Sequence, residues 1–148
     1  MVTRSKIIAQ LRDARDRGTR HLLSKQNGDG SFGAPASEGL GPYYKSLWAL
    51  AAAGETEAAN RLATWIARNV QTEEGDFAGP YRGALMDRAY PYPNGWIVAG
   101  AQKLGRFEIA RRGAEFLLLL QHAEDGGFRT ARDNEGAPQD IQCSTQSG

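Results

Sequence analysis

Apolar residues in this chain fall into two patterns that alternate along its length. Over residues 5–25, Ile7, Ile8, Leu11, Ala14, Gly18 and Leu22 recur at helical intervals with charged residues between them. That spacing predicts a helix with one face to water. Residues 58–70 repeat the pattern with Ala58, Leu62, Trp65 and Ile66. Residues 108–120 do so with Ala110, Ala114, Leu117 and Leu118, although the last turn there is apolar all round. Between these segments lie two stretches with almost no polar face, 43–53 (Tyr-Tyr-Lys-Ser-Leu-Trp-Ala-Leu-Ala-Ala-Ala) and 95–101 (Gly-Trp-Ile-Val-Ala-Gly-Ala). A helix apolar on every side is expected to be buried on every side. The order outer, inner, outer, inner, outer therefore predicts an all-α fold in two layers, with inner helices near 43–53 and 94–104. No segment alternates in the manner of a strand.

Two short phrases punctuate the helices. The first is Gln followed by a polar gap and Gly-x-Phe: Gln26-Asn-Gly-Asp-Gly30-Ser-Phe32, Gln71-Thr-Glu-Glu-Gly75-Asp-Phe77 and Gln121-His-Ala-Glu-Asp-Gly126-Gly-Phe128. The three glutamines stand 45 and 50 residues apart, a period typical of stacked supersecondary units. The second phrase is a glycine turn, Gly54-Glu-Thr-Glu57-Ala-Ala59 and Gly105-Arg-Phe-Glu108-Ile-Ala110. Glycine there suits the left-handed residue beyond a helix end. The chain thus divides into repeats over about 5–42, 43–93 and 94–148 of a single domain. Inner helices pass to outer ones through tight turns at Gly54 and Gly105. Outer helices pass to inner ones through long Gly- and Pro-rich loops, about 27–42, 72–93 and 122–144. Function is expected where long loops gather on a rigid scaffold, here at the N-terminal ends of the inner helices. Free N–H groups at those ends also favour anionic groups.

Composition narrows the choices. A net charge of +1 gives no general attraction to nucleic acid. The Arg and Lys residues between Arg4 and Arg20 are interleaved with Asp13 and Asp16, as on a solvated helix face. Cys143 is the single cysteine, so neither an internal disulfide framework nor a cysteine-rich zinc site is available. The basic N-terminus lacks the apolar stretch of a signal peptide, and no run approaches the ~20 apolar residues of a membrane span. A cytoplasmic protein is expected.

The residues before each Gln extend the motif. Arg112-Gly113-x-x-Phe116-Leu117-x-x-x-Gln121-x-x-x-x-Gly126-x-Phe128 closely resembles the repeat of the terpenoid cyclases and prenyltransferase-like α/α toroids, with Phe where Trp is usual. Arg17-Gly18-x-x-His21-Leu22-x-x-x-Gln26-x-x-x-Gly30-x-Phe32 matches nearly as well, and the copy from Trp65-Ile66 to Gln71 is degenerate. The resemblance implies a two-layer α/α toroid, in which the Gln amide joins neighbouring helix ends and the aromatic ring plugs the gap between layers. It does not extend to chemistry. The Asp-x-Asp-Asp acid and the Asp-x-x-Asp-Asp diphosphate motif of that superfamily are missing from these residues. Asp140 and Cys143 have no downstream His to complete a prenyltransferase-like zinc site, and one Cys excludes a lanthionine-cyclase site. No metal or cofactor is implied. Such toroids close with more helices than the five read here, so an open arc exposing an apolar flank is expected to self-associate or to be covered by further chain.

The strongest cluster of candidate residues is the inner-helix mouth: Tyr43, Tyr44, Lys45 and Trp48 in one repeat, Tyr92, Asn94 and Trp96 in the next. Aligning the turns places Lys45 opposite Trp96. Aromatic rings with one cation suit an apolar or sugar-like ligand that carries an acid group, or are simply core filler with a snorkelling lysine. In the loop 79–93, Asp87 is the carboxylate best placed for proton transfer, unless it merely pairs with an arginine. Asp29, Asp76 and Asp125 read as turn caps and His21 and His122 as structural residues. Three functions follow: part of a terpenoid-cyclase-like or prenyltransferase-like toroid handling an apolar small molecule, a carbohydrate-active α/α toroid, or a non-catalytic helical scaffold.

Overall fold

The computed structural model of the protein describes residues 3–77, 91–124 and 126–128. Among these residues the chain forms five helices, α1 (Arg4–Lys25), α3 (Ser46–Ala53), α4 (Thr56–Asn69), α5 (Pro91–Leu104) and α6 (Phe107–Leu119), and a single-turn α2 (Pro35–Glu38). There is no strand among them, only two isolated bridges, Gln26–Phe32 and Gln121–Phe128. The fold is all-helical, as the periodicity predicts. No helix among the described residues is long and apolar enough to cross a membrane.

The contacts follow the alternation of the sequence. Helix α3 packs against α1, α4 and α5, while α5 packs against α3, α4 and α6. The core lies between them, with Leu47 and Leu50 of α3, Leu62 and Ile66 of α4, Ile97 and Ala101 of α5, and Ile109 and Phe116 of α6 all buried. The closest approach is at Gly100 of α5. A Cβ there would lie 2.8 Å from the Trp48 backbone nitrogen and 3.0 Å from Leu47 Cγ, so only glycine lets α5 cross α3 this closely.

Both tight turns form as expected. Gly54 and Gly105 take the left-handed conformation, φ +86° and +81°. The following residues close the helix ends, Glu55 N–H donating to Leu50 and Arg106 N–H to Ala101.

The Gln phrase is a staple between successive outer helices. Gln26 Nε2 donates to Gly30 O (3.1 Å) and to Ala58 O at the start of α4 (2.9 Å). Gln71 Nε2 donates to Ile109 O (3.1 Å), the equivalent position at the start of α6. The arginines of the motif work from the other side. Arg61 donates to Gln26 Oε1 (2.8 Å), and Arg112, at the matching position one repeat later, donates to Thr72 O (2.7 Å). The phenylalanines plug the layers in two copies: Phe32 and Phe77 are buried, whereas Phe128 is only half-buried.

Four expectations need correction. The inner helices are not buried on every side: Trp48 is 36% exposed and Ala52 is exposed too, because α1 stands off from that face of α3 across an open groove that they line with Gly18 and Leu22. Helix α1 has no buried residue at all, and its stripe of Ile7, Ile8 and Leu11 is exposed, since α1 meets the rest only towards Leu22 and Leu23. Helix α3 begins at Ser46 rather than 43, after turns over 39–45, and α5 begins at Pro91 rather than 94. Pro91 and Pro93 fit the first turn of α5, where the missing N–H groups have no helical partner to lose. Finally, α2 interrupts the segment 27–42, with Pro35 at its first turn.

Candidate functional site

Helices α3 and α5 run in the same direction. Lys45 faces Trp96, and one turn further on the Leu47–Trp48 backbone meets Gly100. This pairing brings the start of α3 and the first two turns of α5 together. There the rings of Tyr44 and Tyr92 lie 5.8 Å apart, those of Tyr92 and Trp96 6.3 Å apart, and those of Trp96 and Trp48 6.2 Å apart. Four aromatic rings therefore form one continuous wall. Tyr44, Tyr92 and Trp96 are half-buried and Trp48 is exposed, so the wall is accessible.

Lys45 lies in front of this wall. Its Nζ is 5.4 Å from the Tyr44 ring centre, 5.2 Å from Tyr92 and 5.4 Å from Trp96. Hydrogen bonding to the Tyr92 hydroxyl raises the Lys45 ammonium above its ordinary value. In return Lys45, and after it Trp96, hold the Tyr92 phenol below its ordinary value. The lysine is thus cationic throughout the neutral range. At the other end of the wall, Lys103 Nζ sits 5.0 Å from the Trp48 ring.

Two residues expected at the mouth belong to the core. Tyr43 is completely buried and packs edge-on against Trp65, with ring centres 5.2 Å apart. Asn94 is completely buried as well, and its Oδ1 accepts the Phe77 N–H at 3.0 Å. Asn94 thus anchors the Gly-x-Phe turn to α5 instead of facing a ligand. Tyr43, in the turns before α3, and Asn94, on α5, point inward, while Tyr44, Lys45, Trp48, Tyr92 and Trp96 lie on the outward side. Asp87 and the rest of 78–90 lie outside the described residues, as do Asp125, Asp140 and Cys143. Of the expected turn caps, Asp29 is seen at work: its Oδ1 accepts the Ser31 N–H (2.9 Å) and hydroxyl (2.7 Å), which hold its carboxyl below the ordinary value.

Sequence reasoning did not find the groove beside the wall. An open depression of about 780 Å³ runs between α5 and α6, lined by Gly95, Ala99 and Lys103 on one side and Ala110, Ala114 and Leu117 on the other. Trp48 borders it and so belongs to both features. The i, i+4, i+8 spacing of Gly95, Ala99 and Lys103 was the available signal: two small residues one turn apart mark a stretch of α5 from which no side chain projects far, with a lysine at its end. Among the described residues, no three His, Cys, Asp or Glu side chains are grouped to hold a metal ion.

No family model, curated protein or solved structure matches this chain.

Proposed function

We propose that this chain is part of a toroid protein related to the terpenoid cyclases and prenyltransferase-like α/α proteins, binding or converting an apolar small molecule at the end where α3 and α5 begin. The reading is carried by the accessible four-ring wall of Tyr44, Tyr92, Trp96 and Trp48, which adjoins an apolar groove. Aromatic surface at the mouth of a helical scaffold, with a small number of placed polar groups such as Lys45 and Lys103 beside it, is what a small, largely apolar ligand requires. The Gln-Gly-Phe staples support the kinship through architecture alone, because fold does not fix chemistry. If the protein is an enzyme, Asp87 is the residue we assign to proton transfer.

A carbohydrate-active toroid is the second reading. It is favoured by the partial exposure of Tyr44, Tyr92 and Trp96, rings on which a sugar can stack once Lys45 swings aside. The test is a tryptophan-fluorescence screen of prenyl diphosphates, neutral terpenoids and uronic-acid sugars, repeated with Trp96→Phe and Lys45→Ala. Terpenoid binding that weakens in Trp96→Phe is the expected result. Sugar binding with no terpenoid binding selects the second reading. Binding indifferent to both substitutions, or located at the Gly54 and Gly105 turns, removes the site from this face.

A further inference from the structure

Lys45 is placed unusually for an exposed lysine. A flexible side chain at the surface is free to extend into water, where an ammonium is strongly hydrated. Here its Nζ instead lies within 5.2–5.4 Å of three ring centres at once, with Tyr44 supplied by the segment before α3 and Tyr92 and Trp96 by the first turns of α5. One ring within about 6 Å is common for a surface cation, whereas three rings around one ammonium is the arrangement that recognises quaternary and methylated ammonium groups. None of the ion pairs among the described residues involves Lys45.

We propose that Tyr44, Tyr92 and Trp96 form a cation-recognising cage for the quaternary or methylated ammonium group of a ligand, and that Lys45 occupies it in the free protein as a tethered competitor. This rests on the reading of the wall as a ligand site and adds the charge of the ligand, which is opposite to the acid group that Lys45 by itself suggests.

Three physical points support it. Apart from its bond to the Tyr92 hydroxyl, the Lys45 ammonium faces rings that serve its N–H donors less well than water does, whereas a trimethylammonium has no donor to satisfy and loses less on entering the cage. The lysine stem is unbranched and the residue is exposed, so Lys45 leaves without disturbing either helix. Trp48 continues the wall into the apolar groove, which gives the uncharged remainder of such a ligand a surface to lie on.

The effect of Lys45→Ala separates this idea from its opposite. The probes are choline and its uncharged analogue 3,3-dimethylbutan-1-ol, titrated at constant ionic strength and followed by tryptophan fluorescence and calorimetry. Removing the tethered competitor should tighten choline binding by about tenfold or more, and Trp96→Ala in the Lys45→Ala background should abolish it. Lys45→Arg, which keeps a cation in the cage, should bind choline as weakly as the unaltered protein. Circular dichroism melts of each variant verify that the helices are intact. Choline binding that is unchanged or weaker in Lys45→Ala overturns the cage. Equal binding of choline and the alcohol also overturns it, while leaving the apolar-ligand reading in place. A cage that takes choline in a protein that binds no terpenoid or sugar would retain this inference and remove the wider one.

Discussion

At Gly75 the backbone holds φ +97°, and a Cβ there would come within 2.1 Å of the Arg112 carbonyl oxygen. The same contact recurs one repeat earlier, where a Cβ at Gly30 would lie 2.7 Å from the Arg61 carbonyl oxygen. Conformation and space both demand glycine, so Gly75→Ala should destabilise the protein by more than about 1 kcal/mol. Gly28→Ala, at a position with nothing within 4 Å, should stay within about 0.5 kcal/mol. Urea denaturation of the two variants checks the contrast, and equal effects would show that the staple turn is not under this constraint. Asp29 offers a pH test. Its pKa in the folded protein is lowered, first by the Ser31 hydroxyl and then by the Ser31 N–H. The stabilisation is therefore full above the unfolded value near 3.8 and is lost as pH falls through the folded value. The difference in urea midpoint between the unaltered protein and Asp29→Ala should be present at neutral pH and shrink towards about pH 2. A gap that does not change with pH would mean the carboxylate charge contributes nothing.

The elements meet through small residues. Gly100 carries the crossing of α5 over α3, and Gly113 of α6 leaves room for the Phe77 ring, which would be 2.5 Å from a Cβ there. On propensity alone Gly100→Ala gains about 1 kcal/mol for a helix interior. The obstructing atom is the Trp48 backbone nitrogen, however, which moves only if the helix moves. Overpacking of that kind costs roughly 1–3 kcal/mol, so the substitution should be net destabilising. A thermal melt shows the sign directly, and a higher midpoint for Gly100→Ala would refute the close crossing. The same displacement should perturb the aromatic wall, because Lys45 and Trp96 are brought together by this crossing.

At the scale of the repeat, the described residues leave the seat between α5 and α6 open. Matching the turn at Gly54 to that at Gly105 pairs Leu47 with Val98, Ala59 with Ala110, Ala63 with Ala114 and Ile66 with Leu117. Leu47, Ala59, Ala63 and Ile66 are all 0% exposed, whereas three of their four counterparts are only half-buried, and Ala110, Ala114 and Leu117 line the open groove. Ala63→Trp should therefore destabilise by roughly 1–3 kcal/mol or more. Ala114→Trp should cost under about 0.5 kcal/mol, because its ring has the groove to occupy. Equal penalties in denaturant titrations would mean the two positions are not repeats of one another. With this groove and the Ile7, Ile8 and Leu11 stripe both exposed, we expect association that increases with concentration. Sedimentation velocity showing one monomeric species at every concentration would oppose it.

Local pattern was enough to determine the five longer helices, their order and both glycine turns, though not α2. Each of these depends on residues close in sequence: a helical apolar period, a glycine with positive φ, a Gln within reach of the next turn. The pairing of Lys45 with Trp96 was also legible, because each stands nine residues before its glycine turn, Gly54 or Gly105. What only the tertiary structure decided is which side of each inner helix is covered. Composition called every side of 43–53 apolar, yet packing against α1, α4 and α5 buries Leu47 and Leu50 and leaves Trp48 outside. The same packing drew Tyr43 and Asn94 into the core and left Tyr44 and Trp96 at the surface. Burial is set by neighbours distant in sequence, and the local pattern carries no record of which neighbours are present.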